Sequence, residues 1–316
     1  EIVQGDWSSD VCSSDLATDL FALAQQRGKK IVVLWSGGID STVVLSAFIK
    51  NLKPADRANI VVCCNTESIN ENPHFYHTQI SGRLEMLHLL DLDVNNDFLN
   101  RHMLLTGDPG DLLVGPSTIK YRSLIVDGRN MLPWKDNVDL LYQVYQNDQK
   151  PNFARWWVDK ITNNLREVQA QGLFDRVTTI SDWHWWQYYN IKYNGTFVRP
   201  FTKHKKNLKE VVSRENIREH FDDNFFGHMD FQQWSYTNLH RLLANSVQGH
   251  KQEFRDYILE LDGNHDYHAN KVKYASWGFQ NPNRGLVFMD QDCVMYKYDE
   301  PGLEEAMIEC VNNYPG

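Results

Sequence analysis

Along the first third of the chain, apolar residues fall in short unbroken runs, each closed by small, amide or acidic residues and followed by a longer mixed stretch. Ile31–Leu34 is the first run, Ile60–Cys64 the second, and His102–Thr106, after its leading histidine, the third. Runs this short, rich in branched side chains and bounded by polar residues, predict strands buried on both faces. Between the first two, Ile39–Ile49 places Val43, Val44, Ala47 and Phe48 largely on the buried side of a helix. Ala17–Gln26 predicts a short helix ahead of the first strand. Pro73 opens a helix expected to reach Leu90, because proline suits a first helical turn. Strand, helix, strand, helix at this spacing predicts βαβ units, and so an α/β, three-layer fold around a mainly parallel sheet. Ligands of such a sheet collect beyond the carboxyl ends of its strands, which is where Ser36 and Asn65 fall.

Beyond this region the pattern becomes helical. Trp134–Leu173 is helical and aromatic, and Asp182–Asn190 carries Trp183, Trp185, Trp186, Tyr188 and Tyr189. Those rings suit packing between helices better than the wall of a substrate pocket. Thr196–Phe201 reads as a further strand ending at the same edge, and the basic stretch Thr202–Lys209 leads into a helix carrying Val211 and Val212. Phe221–Glu260 reads as helix with several breaks, Leu286–Phe288 and Cys293–Tyr298 as a terminal hairpin, and Pro301 as the start of a final helix. The expected organisation is a nucleotide domain over residues 17–215 and a helical extension with a terminal β-hairpin over 216–316. Residues 1–16 stand apart. Ser8–Leu16 is a near-repeat without helix or strand period that resembles translated sequencing adapter, or else a disordered arm, and a first residue of Glu1 leaves the natural N-terminus expected upstream.

Charge narrows the partners. The chain of 316 residues has a formal charge of −9 and no long basic run; Lys203, His204, Lys205 and Lys206 are its densest basic patch. Bulk nucleic acid is therefore not an expected partner, whereas a small-molecule substrate is. Its five cysteines have no metal-ligand spacing: Cys63 and Cys64 are adjacent in a predicted strand, and Cys12, Cys293 and Cys310 are scattered. A reduced, cytoplasmic protein is expected. No apolar run approaches the roughly 20 residues that span a bilayer, and no signal peptide is visible, so no membrane partner is expected.

The chemistry concentrates where strands end. Val32–Leu34 and Trp35 run straight into Ser36-Gly37-Gly38-Ile39-Asp40-Ser41 and then into a helix. Two glycines between hydroxyls at a helix start suit a backbone nest whose N–H groups converge on phosphate oxygens. Asp40 has the wrong charge for phosphate and is the candidate ligand for a Mg²⁺ that bridges to it. The third strand likewise empties into Gly107-Asp108-Pro109-Gly110-Asp111, placing two carboxylates on a tight turn.

The hexapeptide Ser36–Ser41 resembles the signature loop of the PP-loop ATP pyrophosphatases, enzymes with an adenine nucleotide alpha-hydrolase-like fold. Within that family, Thr106–Gly115 is similar to the second signature of the asparagine synthetase synthetase domain, and Arg199-Pro200-Phe201 to a segment further along it. The resemblance implies that Leu34, Ser36, Gly37, Gly38, Asp40 and Ser41, with Asn65 and Gly107, bind ATP. It implies that Asp40 and Asp111 hold Mg²⁺ and that Asp108 acts beside them. A substrate oxygen would attack the α-phosphorus, pyrophosphate would leave, and ammonia or an amine would displace AMP. Lys206 and Lys209 are the candidate lysines near the departing phosphate.

The chain also departs from that pattern. Thr106 replaces a serine, Pro109 interrupts the loop, Leu112 stands where a second acid is usual, and Thr202 where an aspartate follows Pro-Phe. No cysteine-led glutaminase segment precedes the loop in this sequence, so glutamine is not an expected nitrogen source unless a partner or a lost upstream segment supplies it, and a separate glutaminase or ammonia source is the expected donor. Two alternatives stay open. Asn65-Thr66-Glu67 with Pro73, and Glu309-Cys310, are similar to features of sulfonucleotide reductases, which leaves a sulfur-handling enzyme or a tRNA thiolase in play. A nucleotide-binding module without turnover is the other.

Overall fold

The computed structural model describes residues 9–108, 110–113, 124–146, 151–187, 212–228, 230–238, 251–271, 287–289 and 295–297. The chain divides into two compact units: Glu1–Pro109, Asn194–Phe231 and Glu253–Gly316 form the first, and Gly110–Tyr193 with Gln232–Gln252 the second.

The first unit is built on four parallel strands, β1 (Lys30–Leu34), β2 (Ile60–Cys64), β3 (Glu85–His88) and β4 (His102–Thr106), in the order β3-β2-β1-β4. Register is set by the apolar runs: Ile31 lies opposite Ile60 and Met103, and Leu34 opposite Cys63 and Thr106. Val32, Leu34, Val61, Cys63 and Leu104 face one way, into a core shared with Phe98 and Leu99 of the helix Asn96–Arg101 and with Ile217 of the helix Arg214–Asp222. The alternate residues Ile31, Val33, Val62 and Leu105 are fully buried as well. Helix α1 (Ser9–Gln26) packs on α2 (Ile39–Asn51), and both meet β1. The α/β architecture expected from the runs is the one the chain adopts, with a predominantly helical C-terminal region.

Three local expectations are corrected. The stretch from Pro73 to Leu90 is not one helix. A single turn at Pro73–Phe75 widens into a π-turn over Tyr76–Ile80 and stops at Ser81 and Gly82, and Glu85–His88 then joins the sheet as β3. Gly82 sits at φ +70°, a left-handed conformation that ends the helix. As an edge strand, β3 leaves Glu85, Met86 and His88 exposed, so its run carries no apolar pattern to read.

The second correction concerns the segment before Ala17, where α1 already starts at Ser9. Among its described side chains, Ser13, Leu16, Ala17, Leu20 and Ala24 are buried, a helical spacing that is visible only when the small Ser13 is counted among them. The third concerns α2, which is covered all round: Ser41, Thr42 and Ser46 are buried along with Val43, Val44, Ala47 and Phe48. Phe48 meets Phe225, with ring centroids 6.2 Å apart, and Lys50, on a different face of the helix, lies over the Tyr257 ring at 3.8 Å.

In the second unit the helices Val138–Gln146 and Pro151–Ala170 pack together, and Ile180–Gln187 is buried along its whole length. Asp182 holds its start by accepting from the backbone N–H groups of Thr178 (2.9 Å) and Thr179 (2.8 Å). Trp183 stands edge-on to Tyr145 at 5.9 Å and donates to Thr162 Oγ1 at 3.3 Å, Trp185 meets Tyr236 at 4.6 Å, and Trp186 meets Phe174 at 4.8 Å. These tryptophans fill a core, as their spacing predicts; Tyr188 and Tyr189 lie outside the described residues.

The terminal hairpin is present, with β5 (Val287–Met289) antiparallel to β6 (Met295–Lys297). The strand expected at Thr196–Phe201 and the helix expected after Pro301 lie outside the described residues. No helix among the described residues is long and apolar enough to cross a membrane.

Phe48 is fully buried between α2 and Phe225, so Phe48→Ala opens a cavity. It is expected to cost about 3–5 kcal/mol of stability, read from urea denaturation. Cys64 is buried at the end of β2, and burial pushes its thiol up to about 11, so it stays protonated at neutral pH. Thiol-labelling of the folded protein should spare Cys64 and reach it only when denaturant is added.

Candidate functional site

The strand order makes one place on the sheet different from the rest. From β1 the chain crosses to β2 on one side, while β4 lies on the other, so the connections diverge between the carboxyl ends of β1 and β4. Such a switch point leaves a crevice that covering helices do not close. The Ser36–Gly38 turn leaves β1 there and the Gly107–Asp108 turn leaves β4 there. Leu34, the last residue of β1, is buried and pairs with Thr106.

The first turn is held by its own hydroxyls. Ser36 N donates to Ser41 Oγ (3.1 Å), Ser41 Oγ donates to the Gly38 carbonyl (3.2 Å), and Gly38 N donates to Ser36 Oγ (3.2 Å). The two hydroxyls lie 3.0 Å apart. Gly37 is at φ +75° and presses on α3 (Thr66–Glu71): a Cβ there would lie 2.2 Å from the Ser68 carbonyl oxygen. Gly38 is the N-cap of α2 and makes no side-chain cap hydrogen bond. The positive end of the helix dipole at such a start favours an anion. Asp40, in that first turn, is half-buried.

The second turn abuts the first. A Cβ on Gly107 would lie 2.4 Å from Ser41 N and 2.9 Å from the Asp40 carbonyl carbon, so only glycine lets the two backbones approach. Asp108 is half-buried; its N–H donates to Thr106 Oγ1 (3.2 Å), and its carbonyl accepts from Thr106 Oγ1 (3.2 Å) and from Asn224 Nδ2 (3.2 Å). Thr106, which departs from the resembled signature, therefore shapes the loop.

The structure thus brings Ser36, Gly37, Gly38, Asp40, Ser41, Gly107 and Asp108 to one edge of the sheet. Asn65 stands at the end of the neighbouring strand, where its Oδ1 caps α3 by accepting from Ser68 N (2.9 Å) and Ser68 Oγ (2.7 Å). The backbone of Asp111 belongs to the short helix Gly110–Leu113, in the second unit. Its side chain, Arg199-Pro200-Phe201, Lys206, Lys209 and Cys310 lie outside the described residues.

Four residues at this edge carry no motif. Tyr267 donates its buried hydroxyl to the Gly37 carbonyl at 2.9 Å, and burial pushes its phenol above the ordinary range, so it remains a donor at any working pH. Lys271 pairs with Glu71 at the end of α3, and Asn224 holds the second turn. Their only sequence signal is polarity within otherwise helical stretches, which most surface residues share.

No group of three or more His, Cys, Asp or Glu residues able to hold a metal occurs among the described residues. Asp40 and Asp108, half-buried residues on abutting turns, instead supply the one or two carboxylates that suit a Mg²⁺ whose shell is completed by phosphate oxygens and water. Compared with known protein families, curated proteins and solved structures, the chain matches none.

Gly37 and Gly82 share a left-handed backbone, yet a Cβ on Gly82 meets nothing within 4 Å. Gly82→Ala is therefore expected to cost only the conformational penalty of about 1–2 kcal/mol. Gly37→Ala must also displace the Ser68 backbone and should cost at least about 2 kcal/mol more, a difference that thermal denaturation of the two variants measures.

Proposed function

We propose that this chain is an ATP-dependent adenylating ligase of the PP-loop type. It would cleave ATP to AMP and pyrophosphate, activating a carboxylate for attack by ammonia or an amine. The observation that carries the reading is the Ser36–Ser41 turn, a strand-to-helix nest at the switch point with Asp40 in the first turn of the helix. Other anions fit a bare helix start. A carboxylate inside the nest, with a second on the abutting turn, suits a polyphosphate that arrives with a divalent cation.

In this reading the first-turn N–H groups of α2, with Ser36 and Ser41, hold the pyrophosphate as it leaves, and Gly107 keeps the second turn tight against them. Asp40 and Asp108 would hold Mg²⁺, and the ion would supply neutralisation of the charge that develops on the leaving group. Donors fixed by the fold stabilise that charge without reorganising, which is where such a site gains most of its rate. The sulfur-handling alternative draws no support from Cys63 or Cys64, both buried.

Incubation with Mg²⁺-ATP, ammonia and a panel of carboxylates (aspartate first) tests the reading. AMP and pyrophosphate are expected, with formation falling at least about 100-fold in Asp40→Ala. Release of ADP and phosphate, or AMP formation indifferent to Asp40→Ala, overturns it.

A further inference from the structure

Glu71 closes α3 directly behind the glycine pair. A methyl group built on Gly37 would lie 2.8 Å from Glu71 Cβ, and one built on Gly38 would lie 3.4 Å from Glu71 Oε1. That carboxylate is buried, its side chain 2% exposed, and Oε1 accepts from Lys271 Nζ at 2.6 Å. An unneutralised buried charge in that place would repel polyphosphate strongly, because little water lies between to screen it. Lys271 follows the helix His265–Asn270, the same helix whose Tyr267 hydroxyl engages the Gly37 carbonyl. One element therefore deals with both negative groups behind the loop, a full charge and a carbonyl dipole.

We propose that Lys271 and Tyr267 are positioning residues for polyphosphate. Lys271 neutralises Glu71 behind the Ser36–Ser41 turn, and Tyr267 keeps the Gly37 carbonyl turned into the protein, so that the nest presents donors without a competing negative charge. This inference rests on the nucleotide reading above and extends it to residues that no motif marks.

Calorimetric titration of the full chain with ATP and Mg²⁺, beside melting temperatures, tests it. Wild type comes first: absence of saturable binding overturns the nucleotide reading, and this inference with it. Given wild-type binding, Lys271→Met is expected to weaken affinity about tenfold, and adding Glu71→Gln to restore it to within about threefold. A double variant as weak as Lys271→Met overturns the proposal alone, since Lys271 would then act on the ligand directly. If the unpaired carboxylate prevents Lys271→Met from folding, the double variant against wild type decides. Affinity within about threefold supports neutralisation and a tenfold loss overturns it. Tyr267→Phe keeps the ring and removes the hydroxyl; it should weaken binding by about threefold to tenfold, and unchanged affinity overturns its assigned role.

Discussion

Everything at the carboxyl edge of the sheet depends on how closely backbone can approach backbone at Gly37 and Gly107. At the first, the turn after β1 rests against the Ser68 carbonyl; at the second, the turn after β4 rests against the start of α2. A single added carbon at either point would lie inside contact distance of main-chain atoms, which cannot swing aside as a side chain can. The parallel sheet sets the strand ends side by side, and these two contacts bring Asp40 and Asp108 onto adjoining turns. The hydroxyls of Ser36 and Ser41 then lock the first turn from within.

Legibility followed the range of the interactions. β1, β2 and β4 were readable because strands buried on both faces need continuous apolar runs, and such runs are rare elsewhere in the chain. β3 was not, because an edge strand with Glu85, Met86 and His88 in solvent owes its place to pairing with β2, not to its own composition. The start of α1 is hidden in the sequence because Ser13, though polar, is small enough to be buried. At the site, the turn Ser36–Ser41 was legible because strand end, glycines, acid and helix start all lie within a few residues. Glu71, Asn224, Tyr267 and Lys271 were not, since each acquires meaning only through a partner: Lys271 is 200 positions from Glu71, and Asn224 is 116 from Asp108.

The C-terminal third therefore has a part that its sequence does not announce. It contributes Ile217 to the sheet core, Phe225 against Phe48 of α2, and Asn224 and Tyr267 to the two turns. Arg27 and Lys29, just before β1, pair with Asp223 and Glu219, which fixes the helix Arg214–Asp222 and the asparagine that follows it. What reads as an extension beside a nucleotide domain is, in the first unit, part of the frame that supports the turns.

The hydrogen bond from Tyr267 to Gly37 spans 230 positions of chain. At a synthesis rate of roughly 5–20 residues per second, that separation corresponds to roughly 10–50 s between the emergence of the turn and that of the tyrosine that braces it. β1, β2 and β4 can pair within that interval, because their partners lie close by in the chain. The brace reaches the turn only with the helix His265–Asn270. Order of synthesis thus separates the strands from the residue that braces their carboxyl edge, and a growing chain that already carries the Ser36–Ser41 turn still lacks the Tyr267 hydrogen bond.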